Sequence, residues 1–450
     1  MKYIFIPILY LTSFFLGEII AQEKKWTLDE CMQYAVENSP RKNKQDQQNS
    51  IYHQNYLEAI GQVLPSIGAS TSANFNFGRS LNEDNTYSDV NSFSNNYSLS
   101  GSMTLFNGLS NINRIKMQKV NKLMGKEQLQ EIKDVIAYET MEAFFNVLYY
   151  KQMVELGEEQ LKQSSENVRQ VKRMEELGVK GFPDVAEMQA KEAEDNYNLT
   201  RQNNLLIIAV IQLKEKMNFP IDEGLDIQDY LSESLISKSD ESPIDIFQKS
   251  QVYLPKALAA EASLKSYTLA YKTSKGNLFP TISMNAGYTT NFYRMMDGSV
   301  DYAPFREQLK NKRGHYVGFT LSIPLFSGFS RTASVKRSKS QMIMAKYERD
   351  ETLRALYSEI EQAVADMNGQ VDEYYQAKKQ AEAMSVAHDV NDRKYKEGLV
   401  SALELHTSSN RLFQSKVEEM NSQLKFYLKQ KLVDYYKGDP FIKSNTVGLN

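Results

Sequence analysis

The residues able to do chemistry are few and scattered. The 450-residue chain has four widely separated histidines, His53, His315, His388 and His406, and a single cysteine, Cys31. One cysteine makes neither a disulfide framework nor a thiolate metal cluster. No GxSxG, Walker A, HExxH or dinucleotide-binding fingerprint occurs, so nothing sets up a nucleophile, a phosphate cradle or a zinc site. The chain is therefore expected to be no enzyme and to carry no cofactor or metal. Its 53 basic and 56 acidic residues leave a net charge of −3, which offers no electrostatic reason for a nucleic-acid partner. The charged residues that do stand out come in a repeated group. Arg173, Gly178 and Asp184 recur as Arg393, Gly398 and Glu404.

That recurrence runs through the whole chain. Pro40 and Pro65 lie 25 positions apart, as do Pro255 and Pro280. Leu64-Pro65-Ser66-Ile67 answers to Phe279-Pro280-Thr281-Ile282, and Leu105-Phe106-Asn107-Gly108 to Leu325-Phe326-Ser327-Gly328. The offset is 215 residues before the first half's variable loop and 220 after it, so a five-residue difference in one loop explains the drift. Internal repeats decide an architecture before any local reading does. This chain is one unit written twice.

Prolines then mark where helices are allowed. None falls between Pro65 and Pro183, or between Pro324 and Pro440, as expected of long helices. Ile360, Val364, Met367, Val371 and Tyr374 step by 4,3,4,3, as do Phe413, Val417, Met420, Leu424 and Tyr427. Tyr138, Met141, Phe145 and Leu148 step by 3,4,3. These are coiled-coil-type seams with charged residues between them. Helical pattern holds from Ser110 to Leu177 and from Ser330 to Glu397, about 100 Å each at 1.5 Å per residue. Shorter helices are expected over 41–63, 184–218, 256–278 and 403–437. Two short helices end to end match one long one in length, so each half is expected to contribute one long helix beside two stacked short ones.

Four segments alternate instead. They are expected as strands over about 66–77, 95–106, 281–292 and 316–326. Ile67, Ala69, Thr71, Ala73, Phe75 and Phe77 interleave with Ser, Gly and Asn, and the other three segments follow the same rule. A period of two over about ten residues suits a tilted strand crossing a bilayer, apolar outward and small-polar inward. A soluble sheet with one wet face would give the same pattern. The N-terminus tilts the choice toward the membrane. Lys2, the apolar run Ile4 to Gly17 and the small residue Ala21 form a secretory leader, so residues 1–21 are expected to be removed. Cys31 follows Leu28-Asp29-Glu30, the wrong setting for lipid attachment, and is expected to be a buried structural thiol.

The paired Leu/Phe-Pro and Leu-Phe-x-Gly landmarks, with a long helix reaching an Arg-x4-Gly tip, resemble the TolC-like outer-membrane efflux channel family. The resemblance covers essentially the whole mature chain. It implies a mainly α fold with β: a tandem repeat of long helices forming a periplasmic α-barrel. Four transmembrane strands per chain would join a 12-stranded trimeric β-barrel. The repeats would span 22–218 and 251–437, with an acidic connector at 219–250 forming an equatorial belt and a tail at 438–450. The implied partners are two further copies, a periplasmic membrane-fusion adaptor, an inner-membrane efflux transporter or secretion ATPase, and outer-membrane lipid.

The resemblance also assigns sites. Arg173, Gly178, Gly181, Arg393, Gly398 and Ser401 fall at the periplasmic tips where the adaptor docks. Asp184 and Glu404 stand six positions past the tip glycines, where family members narrow the tunnel, and Tyr395 matches an aromatic latch position. Val400 stands where the best-known member carries a basic residue, and Gly181 and Pro183 replace the usual first-half residues. Asp184 and Glu404 also read as helix-start carboxylates favoured by the dipole; both readings hold together. The implied function is a passive export duct for small molecules, opened at the tips. A protein-secretion duct and a non-channel coiled-coil surface protein are the alternatives.

Overall fold

The computed structural model of the protein describes residues 24–81, 85–89, 91–229, 235–296 and 301–442. The expected leader at 1–21, Glu233 of the acidic connector and the tail from 443 lie outside the described residues. The first half runs β1 (Lys25–Trp26), α1 (Leu28–Glu37), α2 (Pro40–Gly61), β2 (Ser66–Asn76), β3 (Arg79–Leu81), β4 (Tyr87–Asp89) and β5 (Ser92–Asn107). It ends with the 67-residue α3 (Ser110–Glu176) and α4 (Phe182–Met217). The connector holds β6 (Asp226–Ile227) and α5 (Pro243–Ser250). The second half runs α6 (Pro255–Gly276), β7 (Thr281–Met295), α7 (Phe305–Asn311), β8 (Gly314–Ser322), the 67-residue α8 (Ser330–Lys396) and α9 (Ala402–Lys437). No described helix is long and apolar enough to cross a membrane.

Elementary turn chemistry places these boundaries. Pro40 and Pro255 each open a helix, where a missing N–H costs nothing and the fixed φ suits the first turn. Ser39 adds a cap, its Oγ accepting from Arg41 N at 3.2 Å. Strand passes into long helix through two consecutive left-handed residues in both halves. These are Gly108 and Leu109 at φ 64° and 66°, and Gly328 and Phe329 at 57° and 65°. A leucine and a phenylalanine held in that region are strained. The same strain at the same repeat position shows that the duplication extends to backbone conformation.

The chain forms two compact units. The first comprises Met1–Ala35, Glu139–Leu235 and Gln380–Asn421. Its core includes Met141, Phe144, Phe145 and Leu148 from α3, all under 5% exposed, which places three of the four positions of the expected 3,4,3 seam inside; Tyr138 is half-buried. Phe144, between seam positions, is buried as well. The segment entering this unit is tied down by parallel β1–β6 pairing and by Trp26, Tyr34 and Phe219, whose rings meet at 5.3 to 5.5 Å. Cys31 is fully buried there, and burial pushes its thiol up to about 12. It is a packing group, not a nucleophile.

The second unit comprises Val36–Tyr138, Ile236–Lys379 and Ser422–Asn450. Ile360, Val364, Met367 and Val371 of α8 are buried along the expected seam, with Leu424, Phe426 and Tyr427 of α9. Asp134 is a buried carboxylate held by Tyr435 Oη at 3.0 Å and Gln130 Nε2 at 2.8 Å; burial raises its pKa. This unit also contains an antiparallel sheet in the order β2-β5-β7-β8. The central β5–β7 pair joins one strand from each half.

Candidate functional site

Two regions carry the functional candidates. In the first unit these are the two helix turns. Gly178 adopts φ 73° and Gly398 φ 78°. Val179 N donates to Met174 O and Leu399 N to Lys394 O, both at 2.8 Å. These bonds reach five residues back, as in a Schellman ending, and take up carbonyls the helix leaves bare. No atom lies within 4 Å of a Cβ built on either glycine, so the requirement is backbone conformation and not space. Gly178→Ala and Gly398→Ala should each cost about 1 to 2 kcal/mol, whereas Asn at either site should lose less. Thermal unfolding of the four variants checks this, and equal losses for Ala and Asn would contradict it.

The following helices start by the same logic. Glu404 N donates to Ser401 Oγ at 3.2 Å, so Ser401 is a side-chain cap. Gly181 has no side chain to offer; instead its own N donates to Asp184 Oδ2 at 3.3 Å. Asp184 and Glu404 thus stand at equivalent positions in the first turns of α4 and α9, where the helix dipole favours carboxylates. Asp184 is half-buried and Glu404 exposed; Arg173, Gly178, Gly181, Arg393, Gly398 and Ser401 are all exposed. Around them stand large apolar side chains in water. Leu177, Val179, Phe182, Leu399 and Leu403 are 60 to 73% exposed.

Tyr395 behaves differently from the other expected site residues. It is 2% exposed and packs with Val168, Val171, Val185, Met188, Ala402 and Leu405, with Val400 alongside. Its hydroxyl has no partner among the described residues. Burial, reinforced by the Asp184 charge, pushes that hydroxyl up to about 12. Lys180 Nζ sits 4.6 Å from the ring centroid, close enough for a cation–π contact. Within one chain Tyr395 is tip core, because its side of α8 faces the other helices of this cluster.

Sequence reasoning did not single out a polar layer in the same unit. Lys191 and Asp195 of α4 are 5% and 4% exposed and lie 2.5 Å apart, and Lys191 also reaches Asn410 Oδ1 of α9 at 2.6 Å. Asp195 Oδ2 has no partner among the described residues. His406 of α9 stands 3.2 Å from Glu194 Oε2 and 3.8 Å from Glu187 Oε1. The i,i+4 spacing of Lys191 and Asp195 was the available signal, but it also suits any solvated helix face.

The second region is the four-stranded sheet, and it has two chemically distinct faces. Ile67, Ala69 and Phe75 of β2 share one face with Leu99 and Phe93 of β5 and Ala286, Tyr288 and Phe292 of β7. Val317, Phe319 and Leu321 continue it on β8, 60 to 69% exposed. The opposite face is mostly Ser, Thr, Asn and Gly, with Tyr293 and Met295 of β7 and Tyr316 of β8 among them, and Ser66–Ser102 and Ser70–Ser98 form hydroxyl pairs at 2.9 and 2.7 Å. Among the described residues β2 pairs only with β5, and β8 only with β7.

Two details depart from the expected alternation. Register shifts between Thr104 and Phe106, so Leu105 is the extra residue of a bulge and Phe106, not Leu105, takes the next place on the apolar face. The fourth strand starts at Gly314 and stops at Ser322, short of the expected end at Phe326. Pro324 occupies the position of Thr104 in the repeat and has no N–H for a ladder. Leu325 and Phe326 are left 93% and 80% exposed.

Comparison with known proteins agrees with this architecture. Residues 251–430 match the family described as "Outer membrane efflux protein". No curated protein sequence matches. The fold is similar to that of the outer membrane protein VceC of Vibrio cholerae, with a TM-score of 0.78 at 12% identity over 92% of this chain and 96% of that one. It is similar to the CmeC outer membrane channel of Campylobacter jejuni, with a TM-score of 0.78 at 13% identity over 93% and 87%. The open-state MtrE outer membrane channel of Neisseria gonorrhoeae gives 0.73 at 17% identity over 91% and 88%. The comparisons agree with the TolC-like resemblance: residues 251–430 match the outer membrane efflux protein family, and the chain shares the fold of solved outer-membrane channels along nearly its whole length.

Proposed function

We propose that the protein is an outer-membrane channel-tunnel that exports small molecules, and that three copies build one duct. The sheet carries this reading. Its apolar face suits lipid and its neutral, small-polar face suits a water-filled bore. Each chain leaves β2 and β8 with one open edge, and open edges are not tolerated in hydrocarbon. Four strands are too few to close, about eight being the practical minimum. Three copies supply twelve, with β8 of one chain meeting β2 of the next. Half-buried apolar positions on α9, including Phe413, Val417 and Met420, are surfaces that neighbouring copies would cover.

The helical part then serves as the periplasmic duct, in two repeats over 22–218 and 251–437 with 219–250 as connector. Its turns, with exposed Leu177, Val179, Phe182, Leu399 and Leu403 beside Arg173 and Arg393, suit a periplasmic adaptor by apolar burial with charged rims. An inner-membrane pump supplies the energy and the duct itself is passive. Reconstitution tests the whole. The full chain, extracted from outer membranes by detergent, should run as a heat-resistant trimer and give stepwise conductance in planar bilayers. A salt-extractable protein without conductance would refute the channel.

A further inference from the structure

β7 outlasts its neighbour. Its last pair with β8 is Thr289–Gly314, yet the strand continues to Met295. The helix α7 occupies the edge so exposed. Gln308, 4% exposed, accepts from Tyr293 N at 3.2 Å and from Lys312 Nζ at 2.7 Å, and its amide donates to Ala303 O at 2.9 Å. Thr290 Oγ1 donates to Leu309 O at 2.7 Å. Phe305 lays its ring 5.1 Å from Phe292 and 6.4 Å from Tyr97, both on the sheet's apolar face. So α7 is fixed at the loop end of that face, sealing an otherwise open edge.

Its outer surface is cationic. Arg306 and Lys310, one turn apart on α7, are exposed, as is Arg313, whose Nε donates to Lys310 O at 2.7 Å. Arg294 is exposed as well, and its register opposite Phe93 puts it on the apolar face beyond Phe292. Among the described residues from 294 to 313 only Asp301 and Glu307 oppose these charges. An arginine on a lipid-facing strand is tolerated near the interface and costly at mid-bilayer. The rim therefore joins an aromatic anchor to a ring-side group of cations, the arrangement that takes anionic headgroups at a membrane surface.

We propose that Arg294, Arg306, Lys310 and Arg313 form a docking site for phosphate-bearing lipid headgroups at the outer rim of the barrel. The proposal rests on the barrel reading, which supplies the bilayer. The test uses the full-length protein in phosphatidylcholine vesicles, with spin-labelled phosphatidic acid or spin-labelled phosphatidylcholine as the probe of motionally restricted lipid. Phosphatidic acid should be selected several-fold over phosphatidylcholine. Replacing all four by Gln (R294Q, R306Q, K310Q, R313Q) should bring the two lipids to parity while the restricted phosphatidylcholine stays unchanged, which shows that the variant still inserts. Restricted lipid with no preference in the native protein, or a preference the variant keeps, overturns the headgroup site alone. No restricted lipid of either kind overturns the barrel reading and this site with it. Loss of the preference on adding millimolar inorganic phosphate would make it a soluble-anion site and overturn the lipid assignment.

Discussion

Lys191→Ala should destabilise the helical unit by about 3 to 5 kcal/mol, because it leaves a carboxylate buried without its cation. Asp195 is 4% exposed, its Oδ1 is 2.5 Å from Lys191 Nζ, and its Oδ2 already has no partner among the described residues. Lys191 also holds Asn410 of α9, so the substitution removes a link between helices as well as a charge. The pair's net worth is a separate matter. Desolvating two ions consumes most of what their attraction returns. Lys191→Met with Asp195→Leu, which removes both charges and fills the volume, should therefore recover most of the loss. Thermal unfolding of native, single and double variants reads both statements. A double variant no better than Lys191→Ala would show that the layer is needed as a polar network and not merely as a neutralised pair.

The second large effect concerns ion selectivity. Three copies would bring six carboxylates, Asp184 and Glu404 from each, to one aperture, and such a ring favours cations. Asp184→Asn with Glu404→Gln should lower the cation-to-anion permeability ratio several-fold in bilayer conductance. The helix-start role of these residues supplies the control. Asn at 184 keeps an acceptor for Gly181 N, the bond Asp184 now makes, and only the favourable dipole contact is lost, about 0.3 to 1 kcal/mol per site. Selectivity should thus fall in a protein that still folds and conducts. Unchanged selectivity in such a variant would leave Asp184 and Glu404 as helix-start residues alone.

Much of the architecture was legible because its signals are local. Periodicity of 3.6 or 2, the exclusion of proline and the recurrence of Gly178 and Gly398 are properties of neighbouring residues. The six expected helices accordingly fall within a residue or two of their expected bounds, whereas α1 and α5 were not expected. The bulge at Leu105 was not legible, since an extra residue in a strand is defined only by the strand opposite. The early end of β8 was legible in Pro324 alone, and the matching Leu-Phe-x-Gly pattern masked it. Nor did the loop sequence reveal α7. It is seven residues long, too short to stand alone, and depends on the edge of β7.

The sites divide along the same line. By itself the sequence determined that the chain is a duplication, where its helices turn, and that four segments have one apolar and one polar face. These follow from residue type and spacing. Only the tertiary structure decided that Tyr395 belongs to a core, that Lys191 and Asp195 are buried together, and that cations gather at a sheet rim. Burial and charge proximity depend on which elements pack against each other, and residues 219 positions apart, such as Lys191 and Asn410, carry no mark of it in the sequence.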